Sequence, residues 1–384
     1  MRSILFCNEM LGLGHLRLSL VLAEALTACS DGATALVVTG SPAFGVMRPA
    51  PAVDILKLPS APVTPGSRWS ATAFRPAAGL AIGHEELGAL RAQLSLAAVE
   101  RLRPDILVSD YRPLGREDEL RPALEHLRAR GGCTIALGLW EVDDAPERLR
   151  AEWTPKLLEA VGDLYDLALV YGPPMAADVR IQRLRAAGLT VHHTELVGAP
   201  PANRGTSDLG DGYLLAMAGG GVDGFEVLDA VLGAIGMRAL DIPAVLVTGP
   251  LMGQSDIAML RKRASGLAAR VLEFRADMDA VITGARAIVA MAGYCTVSEV
   301  LASGKPALLV PRTFPREEQL NRARWHAAAG RVGMLLPNEL DPVALRGAIG
   351  ELLERQPTAP KPLTGAADAA SILARAAAQR GQDR

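Results

Sequence analysis

Residues 213–224 read YLLAMAGGGVDG and decide the fold. The apolar run Tyr213–Met217 has the length and composition of a buried strand, and Gly219, Gly220 and Gly221 follow it before a predicted helix. Consecutive glycines cost backbone entropy, about 0.5–1 kcal/mol each relative to alanine, so a tight turn or the close approach of a ligand must compensate. This order predicts a βα unit whose turn cradles a diphosphate, with a merely flexible turn as the alternative.

The same alternation of strands and helices continues on both sides of this unit. Further strands are predicted at Ser3–Cys7, Ala35–Thr39, Asp54–Leu58, Ile106–Ser109, Cys133–Leu139, Leu167–Tyr171, Thr190–Val197, Ala244–Thr248, Val271–Phe274, Ala287–Ala290 and Ala307–Val310. Helices are predicted at Leu16–Ala28, Glu117–Arg130, Pro146–Val161, Thr296–Ala302, Glu317–Ala329 and Asp341–Arg355. Alternating βα units are typical of parallel sheets, so the chain belongs to the α/β class.

The length of 384 residues and a break in the pattern indicate two domains. Residues 198–212 lack periodicity and are rich in Pro and Gly. We predict two Rossmann-like, doubly wound domains facing across a cleft: residues 1–200 and 213–356, joined by a linker at 201–212. Residues 357–384 form a tail whose Ala-rich helix, residues 366–379, is expected to pack back on the first domain.

Composition narrows the class of partner. With 40 basic and 42 acidic residues the formal net charge is −2, which disfavours nucleic acid and gives no overall attraction to anionic lipid. The four cysteines lack zinc-ligand spacing and indicate reduced thiols. No signal peptide or transmembrane run is recognised, so we expect a cytoplasmic protein, with peripheral membrane contact and a homodimer left open.

The first βα turn carries a second glycine-rich motif. Residues 8–15 read NEMLGLGH, with Gly12 and Gly14 directly before a predicted helix. His15 stands near the carboxyl end of the first strand, where open parallel sheets bind ligands. Its side chain suits removal of a substrate proton or donation of a hydrogen bond to a phosphate, and a structural cap is the third interpretation.

Residues 292–311, AGYCTVSEVLASGKPALLVP, are the most distinctive stretch of the second half. A helix is predicted to open at Thr296, with Glu299 in its first turn. A carboxylate there either caps the helix amides or accepts hydrogen bonds from the two vicinal hydroxyls of a ribose. Residues 314–321, FPREEQLN, bring donors and acceptors suited to sugar hydroxyls to another strand-to-helix junction.

These motifs resemble the donor domain of the family that contains the bacterial peptidoglycan N-acetylglucosaminyltransferase. The resemblance covers residues 271–330, including EFRADM at 273–278, and the opening GLGH is similar to the acceptor-side loop of the same family. The first half also resembles a group of uncharacterised predicted glycosyltransferases, at Leu11–His15, Val38–Pro42 and Tyr171–Pro173. The resemblance implies a GT-B glycosyltransferase that binds a nucleotide sugar on its second half and an acceptor on its first.

The resemblance also implies a donor site. It consists of Gly219, Gly220, Gly221, Phe274, Arg275, Met278, Gly293, Thr296, Glu299, Glu318 and Gln319. The glycines would approach the diphosphate, Glu299 would hold the ribose, the 274–275 backbone would meet the base, and Glu318 with Gln319 would contact the sugar. Family members invert the anomeric centre without a bound metal, and Asp277 and Asp279, at a predicted helix start, are interpreted as helix capping. No cofactor is therefore expected, since the UDP or dTDP sugar is a substrate.

The acceptor side is less defined. Inversion needs a base for the acceptor hydroxyl, for which His15 is the first candidate and Asp110 the second. The acceptor-side set comprises Gly12, Gly14, Trp69, Phe74, Trp140 and Glu141. In the uncharacterised group an Arg-Asp pair is expected where this chain has Trp140-Glu141, which leaves room for a different acceptor chemistry. A small soluble acceptor from secondary metabolism is expected.

Two other functions stay open at the level of sequence. A nucleotide-sugar 2-epimerase shares the architecture and donor site but needs several carboxylates and basic residues around the sugar, and the first-half loops contain few. A non-catalytic sugar-nucleotide sensor or auxiliary subunit is the other alternative, and the presence of His15 argues against it. Donor turnover discriminates between them.

Overall fold

The computed structural model describes residues 1–7, 13–60, 80, 82–174, 178–198, 207–238 and 240–382. The chain divides into two compact units. Of the described residues, unit 1 comprises those up to residue 198 and residues 363–382, and unit 2 comprises residues 207–238 and 240–362. Half of the predicted linker, residues 201–206, lies outside the described part.

Unit 1 is built on a seven-stranded parallel sheet. Its strands are β1 (Arg2–Cys7), β2 (Thr34–Thr39), β3 (Val53–Lys57), β4 (Ile106–Asp110), β5 (Thr134–Trp140), β6 (Leu167–Tyr171) and β7 (Thr190–Thr194). Its helices are α1 (Gly14–Thr27), α2 (His84–Leu102), α3 (Arg121–Arg130), α4 (Pro146–Glu152), α5 (Pro155–Leu164), α6 (Val179–Ala186) and, from the chain's end, α13 (Gly365–Gln382). The strand order is β3-β2-β1-β4-β5-β6-β7.

Unit 2 repeats the plan with six parallel strands. They are β8 (Tyr213–Met217), β9 (Ala244–Val247), β10 (Ala269–Leu272), β11 (Ala285–Met291), β12 (Ala307–Val310) and β13 (Gly333–Met334), in the order β10-β9-β8-β11-β12-β13. The helices are α7 (Phe225–Met237), α8 (Gln254–Ala264), α9 (Met278–Gly284), α10 (Tyr294–Ser303), α11 (Glu318–Ala328) and α12 (Pro342–Glu354).

Strand β8 shows why the buried strands are apolar throughout. Successive side chains of a strand point to opposite faces of the sheet. Leu214 and Ala216 pack into the core on one face, whereas Tyr213, Leu215 and Met217 pack into the core on the other. Helices cover both faces, so the strand needs an apolar run and not an alternating pattern.

Two of the predicted helices differ most from the structure in their bounds. The helix predicted at 117–130 begins at Arg121, because Glu117 and Asp118 have φ angles of 49° and 61° and cannot extend it. The helix predicted at 146–161 is two helices, since Pro155 disfavours helical backbone at Thr154, which instead caps α5 by accepting from the Leu157 amide.

No helix in the described ranges combines the length and the apolar character that a membrane crossing requires.

Candidate functional site

The first site lies at the carboxyl edge of the unit 1 sheet. The strand order reverses between β1 and β4, and open α/β sheets bind ligands at such a point. His15, the second residue of α1, and Asp110, the last residue of β4, flank it. His15 Nδ1 and Asp110 Oδ2 are 2.5 Å apart, and the Asp110 side chain is 2% exposed. The two residues predicted as alternative bases therefore form one His–Asp pair.

This pair sets the proton positions on the imidazole. A carboxylate only accepts hydrogen bonds, so His15 Nδ1 carries a proton and donates it to Asp110. The basic lone pair of the neutral ring is then on Nε2. Nearby, burial raises the pKa of the Tyr171 hydroxyl well above its usual value, and the charge of Asp110 raises it further. Tyr171 is consequently neutral beside the carboxylate.

Two aromatic rings contact the His15 imidazole. Trp140, the last residue of β5, stacks on it with ring centroids 4.2 Å apart and planes inclined by 22°. Tyr111 meets the imidazole at 5.9 Å and 57°, and it has a φ of 65°, which is unusual for a bulky residue. Trp140 was predicted on the acceptor side, and the structure places it against His15. Nothing in the sequence pattern marked Tyr111.

The remaining acceptor-side predictions are placed as follows. Glu141 is 2% exposed, and a Cβ on Gly172 would lie 2.6 Å from the Glu141 Cβ, so the two residues pack tightly. Gly14 is the first residue of α1, and an added Cβ would meet no described atom within 4 Å. Gly12, Trp69 and Phe74 lie outside the described residues.

Two basic side chains lie at the carboxyl end of β3: Lys57, the last residue of that strand, and Arg91 of α2. The Lys57 Nζ donates to the Leu58 carbonyl and, at 2.9 Å, to Ser60 Oγ. The neighbouring Arg91 forms a bidentate ion pair with Glu119, whose two carboxylate oxygens accept from the guanidinium at 2.5 and 2.8 Å. Burial lowers the pKa of Lys57 and Arg91 lowers it further. Among the described residues no carboxylate lies within ion-pair distance of the Lys57 ammonium.

The second site lies at the corresponding edge of the unit 2 sheet, where the strand order reverses between β8 and β11. The glycine turn follows β8, and α10 begins just after β11, with Gly293 as its N-cap. A Cβ on Gly219 would lie 3.5 Å from Thr296 Oγ1, so the two loops adjoin. Backbone amides of the α10 N-terminus and the glycine turn are thus close together, as an anion site requires.

The glycine turn also has a packing function. Gly221 has a φ of 93° and Gly249 one of 83°. A Cβ on Gly221 would meet the backbone of 248–252: the carbonyl of Thr248, the amide nitrogen of Met252 at 2.9 Å and the Gly249 oxygen at 3.0 Å. The amide of Leu251 donates to the Gly220 carbonyl at 3.0 Å. Two backbone turns therefore lie in direct contact, with no space for side chains between them.

Glu299 occupies a different position from the predicted one. Helix α10 begins at Tyr294, so Glu299 is its sixth residue and lies in the second turn, beyond the amides that a first-turn carboxylate would cap. Its side chain is partly exposed. The predicted first-turn position is thereby wrong, while helix capping and binding of a ribose both stay predictions.

Phe274, Arg275 and Met278 surround the start of α9. The Phe274 side chain is 37% exposed, and Met278 is partly buried against one of the unit 2 cores. The Arg275 guanidinium pairs with Asp208 at 2.6 Å and with Asp277 at 2.6 Å. Asp277 stands at the N-cap of α9, but its side chain makes no cap hydrogen bond. The predicted capping role of Asp277 is wrong, since its carboxylate binds Arg275 instead.

Glu318 and Gln319 open α11 and are connected by Arg312, a residue that the sequence analysis missed. The Arg312 guanidinium pairs with Glu318 and, at 3.2 Å, with Asp223 of the glycine turn. Its backbone amide donates to Gln319 Oε1 at 3.1 Å. Burial raises the pKa of Asp223 against the effect of Arg312. One arginine thereby fixes both predicted sugar-binding residues to the turn after β8.

Within the ranges that the structure describes, no three His, Cys, Asp or Glu side chains are grouped so as to hold a metal ion.

Two parallel-sheet α/β units define the GT-B fold, as predicted, and solved structures agree. Acinetobacter baumannii MurG is similar with a TM-score of 0.55 at 14% identity, covering 99% of both chains. The calicheamicin glycosyltransferase CalG4 has a TM-score of 0.57 at 17% identity over 99% of this chain and 95% of that one. A UDP-GlcNAc 2-epimerase from Methanocaldococcus jannaschii has 0.56 at 12% identity, over 98% and 100%. The fold therefore does not by itself separate transfer from epimerisation.

Sequence comparisons point to glycosyltransferases. Residues 220–379 match the glycosyltransferase family 28 C-terminal domain. Similar proteins include two called UDP-N-acetylglucosamine--N-acetylmuramyl-(pentapeptide) pyrophosphoryl-undecaprenol N-acetylglucosamine transferase. The one from Mesorhizobium japonicum is 32% identical over 35% of this chain and 37% of its own length. The one from Methylobacterium sp. (strain 4-46) is 29% identical over 75% of this chain and 71% of its own length. The resemblance predicted from the motifs is confirmed, although the chain spans under two fifths of the first relative's length.

Proposed function

We propose that this chain is a glycosyltransferase that moves a sugar from a nucleotide-diphosphate donor, bound by unit 2, to a hydroxyl of an acceptor bound by unit 1. The contact between His15 and Asp110 carries the proposal, because an acceptor hydroxyl must lose its proton as it attacks. The family 28 match supports the donor half, since it contains Gly293, Thr296 and Glu299.

The proposed mechanism inverts the anomeric centre and needs no metal. His15 Nε2 takes the proton of the acceptor hydroxyl, whose oxygen attacks the anomeric carbon opposite the diphosphate. The glycosidic bond forms as the bond to the diphosphate oxygen breaks, and the leaving group gains the negative charge. Amides of the glycine turn and of the α10 N-terminus stabilise that charge, while Asp110 stabilises the imidazolium.

The epimerase alternative is tested without an acceptor. An epimerase exchanges the proton on C2 of the donor sugar, so UDP-GlcNAc incubated with the chain in D2O would gain deuterium at C2. Transfer predicts no such exchange and no new sugar isomer. An auxiliary, non-catalytic role predicts donor binding without turnover in the presence of any acceptor.

Donor binding gives the first prediction. Glu299→Gln is expected to weaken binding of UDP-GlcNAc or dTDP-glucose by about 10–100-fold, because the ribose hydroxyls lose a charged acceptor worth about 1.5–3 kcal/mol. Calorimetric titration of both donors against the full chain measures the change. The matched control is Glu351→Gln, an exposed carboxylate of α12, whose affinity should equal that of the wild type. Equal affinity of all three proteins would remove Glu299 from the donor site.

For the acceptor we propose a phosphorylated molecule in place of the small soluble acceptor from secondary metabolism that was expected from the sequence. Lys57 supports this proposal, because a half-buried ammonium beside Arg91 is stabilised by an incoming anion. Burial, Arg112 and Arg91 also lower the pKa of Arg116 in the same region. Strand β3 lies three strands from β4, about 14 Å by strand spacing, so the phosphate and the attacked hydroxyl belong to one elongated acceptor. The relatives' names specify a pyrophosphoryl-linked acceptor.

Lys57 gives the second prediction. Lys57→Gln is expected to raise the acceptor KM by about 10-fold with an unchanged donor KM, since one charge-assisted hydrogen bond is lost. Steady-state kinetics with an N-acetylmuramoyl-pentapeptide diphosphate lipid and with a phenolic glycoside acceptor measure it. Lys156→Gln, an exposed lysine of α5, is the control. Transfer to the phenolic acceptor alone, unaffected by Lys57→Gln, would overturn the phosphorylated acceptor and leave the transferase proposal intact.

A further inference from the structure

Arg180 is the most buried charged side chain near the His15–Asp110 pair. It is the second residue of α6 and 1% exposed. Its guanidinium pairs with Asp143 at 2.7 Å and Asp178 at 2.8 Å, and it donates to the Trp140 carbonyl at 3.1 Å. Burial opposes its charge, but the two carboxylates outweigh that effect and raise its pKa. Arg180 is therefore a permanently charged anchor.

Two of the three partners of Arg180 lead to a ring that contacts the His15 imidazole. Asp143 Oδ1 accepts from the Tyr111 hydroxyl at 3.2 Å, while Asp143 Oδ2 binds Arg180. The Trp140 carbonyl belongs to the residue whose indole stacks on the imidazole at 4.2 Å. One guanidinium thus restrains both Trp140 and Tyr111.

The backbone of Tyr111 indicates that this restraint is maintained at a cost. A φ of 65° is unfavourable for a bulky aromatic residue, and such strain persists only where surrounding contacts impose it. Two contacts do so here: the Tyr111 amide donates to the Gly138 carbonyl at 2.8 Å, and the hydroxyl binds Asp143. The result is an aromatic ring turned toward His15.

A base needs more than one hydrogen bond to hold its orientation. The contact with Asp110 fixes one ring nitrogen of His15 but allows the imidazole to tilt about that point. Stacking on Trp140 and the tilted contact with Tyr111 define the plane of the ring. Misplacement of a reacting group by about 1 Å can cost about 100-fold in rate, so such restraints have large kinetic consequences.

We propose that Arg180 is a positioning residue that acts through Trp140 and through Asp143 and Tyr111 to hold the His15 imidazole in the plane required for proton removal. The proposal rests on the proposed role of His15 as the base. It assigns to Trp140 a function in orienting the base, in addition to the acceptor contact predicted for it. Neither Arg180 nor Tyr111 needs to touch a substrate in this arrangement.

The central experiment uses Tyr111→Phe, which keeps the ring and removes only the hydroxyl that binds Asp143. We expect kcat for transfer to fall about 10-fold at an unchanged donor KM, with the protein still folded by circular dichroism. Tyr213→Phe is the matched control, because its buried hydroxyl donates to the Val281 carbonyl within unit 2, whereas His15 belongs to unit 1. Arg180→Lys, which keeps the charge but loses the fork geometry, should show the same loss of kcat as Tyr111→Phe.

A double-mutant cycle separates positioning from a structural role. If Tyr111 acts through His15, Tyr111→Phe should have no further effect on kcat in a His15→Ala background. Nitrogen-15 NMR of the wild-type and Tyr111→Phe imidazoles should also show a changed His15 signal, a readout independent of turnover. Additive losses with an unchanged His15 spectrum would overturn the proposal.

The same cycle distinguishes failure of this inference from failure of the proposed function. Full transfer activity in His15→Ala would exclude His15 as the base, and with it the positioning role, while the transferase proposal would stand. No transfer by the wild-type protein would instead overturn the proposed function. A large loss in His15→Ala together with wild-type kcat in both Tyr111→Phe and Arg180→Lys would overturn only the positioning role.

Discussion

Replacing His15 with alanine is expected to lower kcat of sugar transfer by about 1,000-fold, within the range of about 100–10,000-fold for loss of a general base. The acceptor hydroxyl would then have to attack without a partner for its proton. The donor KM should change little, because the donor groups predicted for unit 2 are untouched. Single-turnover kinetics with radiolabelled donor measure the chemical step directly.

Two further variants sharpen that result. Asp110→Asn retains the size of the side chain but offers an amide that can reverse the tautomer of His15, so we expect a loss of about 100-fold or more. His126→Ala removes a partly exposed histidine of α3 whose nearest carboxylate, Glu100, is 4.0 Å away, and should retain full activity. Wild-type kcat in His15→Ala at saturating donor and acceptor would exclude His15 as the base.

The strands were predictable because a strand that is buried on both faces is a continuous run of apolar residues in the sequence. The runs Tyr213–Met217, Leu167–Tyr171 and Ala307–Val310 are strands at the predicted residues. The helix starts were harder, because they depend on single backbone angles. Gly293 as N-cap places the start of α10 at Tyr294, two residues before the prediction, and that difference moved Glu299 out of the first turn.

The positions of site residues were predictable where they follow from the ends of strands. They were not predictable where they depend on contacts between residues that are far apart in sequence. His15 and Asp110 were both expected at the carboxyl edge of the sheet, yet their direct contact spans 95 residues in sequence. Arg180 lies on α6, which carries no motif, and Arg312 lies in the short gap between the stretches 292–311 and 314–321. The left-handed backbone of Tyr111 leaves no trace either, since no glycine marks it.

Gly221→Ala is expected to destabilise unit 2 by about 3 kcal/mol and to weaken donor binding by at least about 10-fold. The added methyl group would overlap the backbone of Thr248 and Met252, and alanine is strained at a φ of 93°. Relief of that overlap must separate the two turns, which displaces the amides proposed to meet the diphosphate. Urea unfolding followed by circular dichroism and titration with UDP measure the two effects.

A second variant in the turn, Gly219→Ala, and a control on α7, Gly236→Ala, separate packing from ligand contact. Gly219→Ala has a smaller conformational cost, about 1–2 kcal/mol, because its φ of 63° is nearer the left-handed helical region and its Cβ would lie an ordinary 3.5 Å from Thr296 Oγ1. Its donor affinity should nevertheless fall, since the methyl group would occupy space between the two donor loops.

Gly236→Ala, exposed on α7 with no described atom within 4 Å of the new Cβ, should be as stable as the wild type or up to about 1 kcal/mol more stable. Weakened UDP binding in both turn variants, with a large loss of stability only in Gly221→Ala, would assign ligand approach to Gly219 and backbone packing to Gly221. Unchanged UDP affinity in both would contradict a diphosphate cradle at this turn.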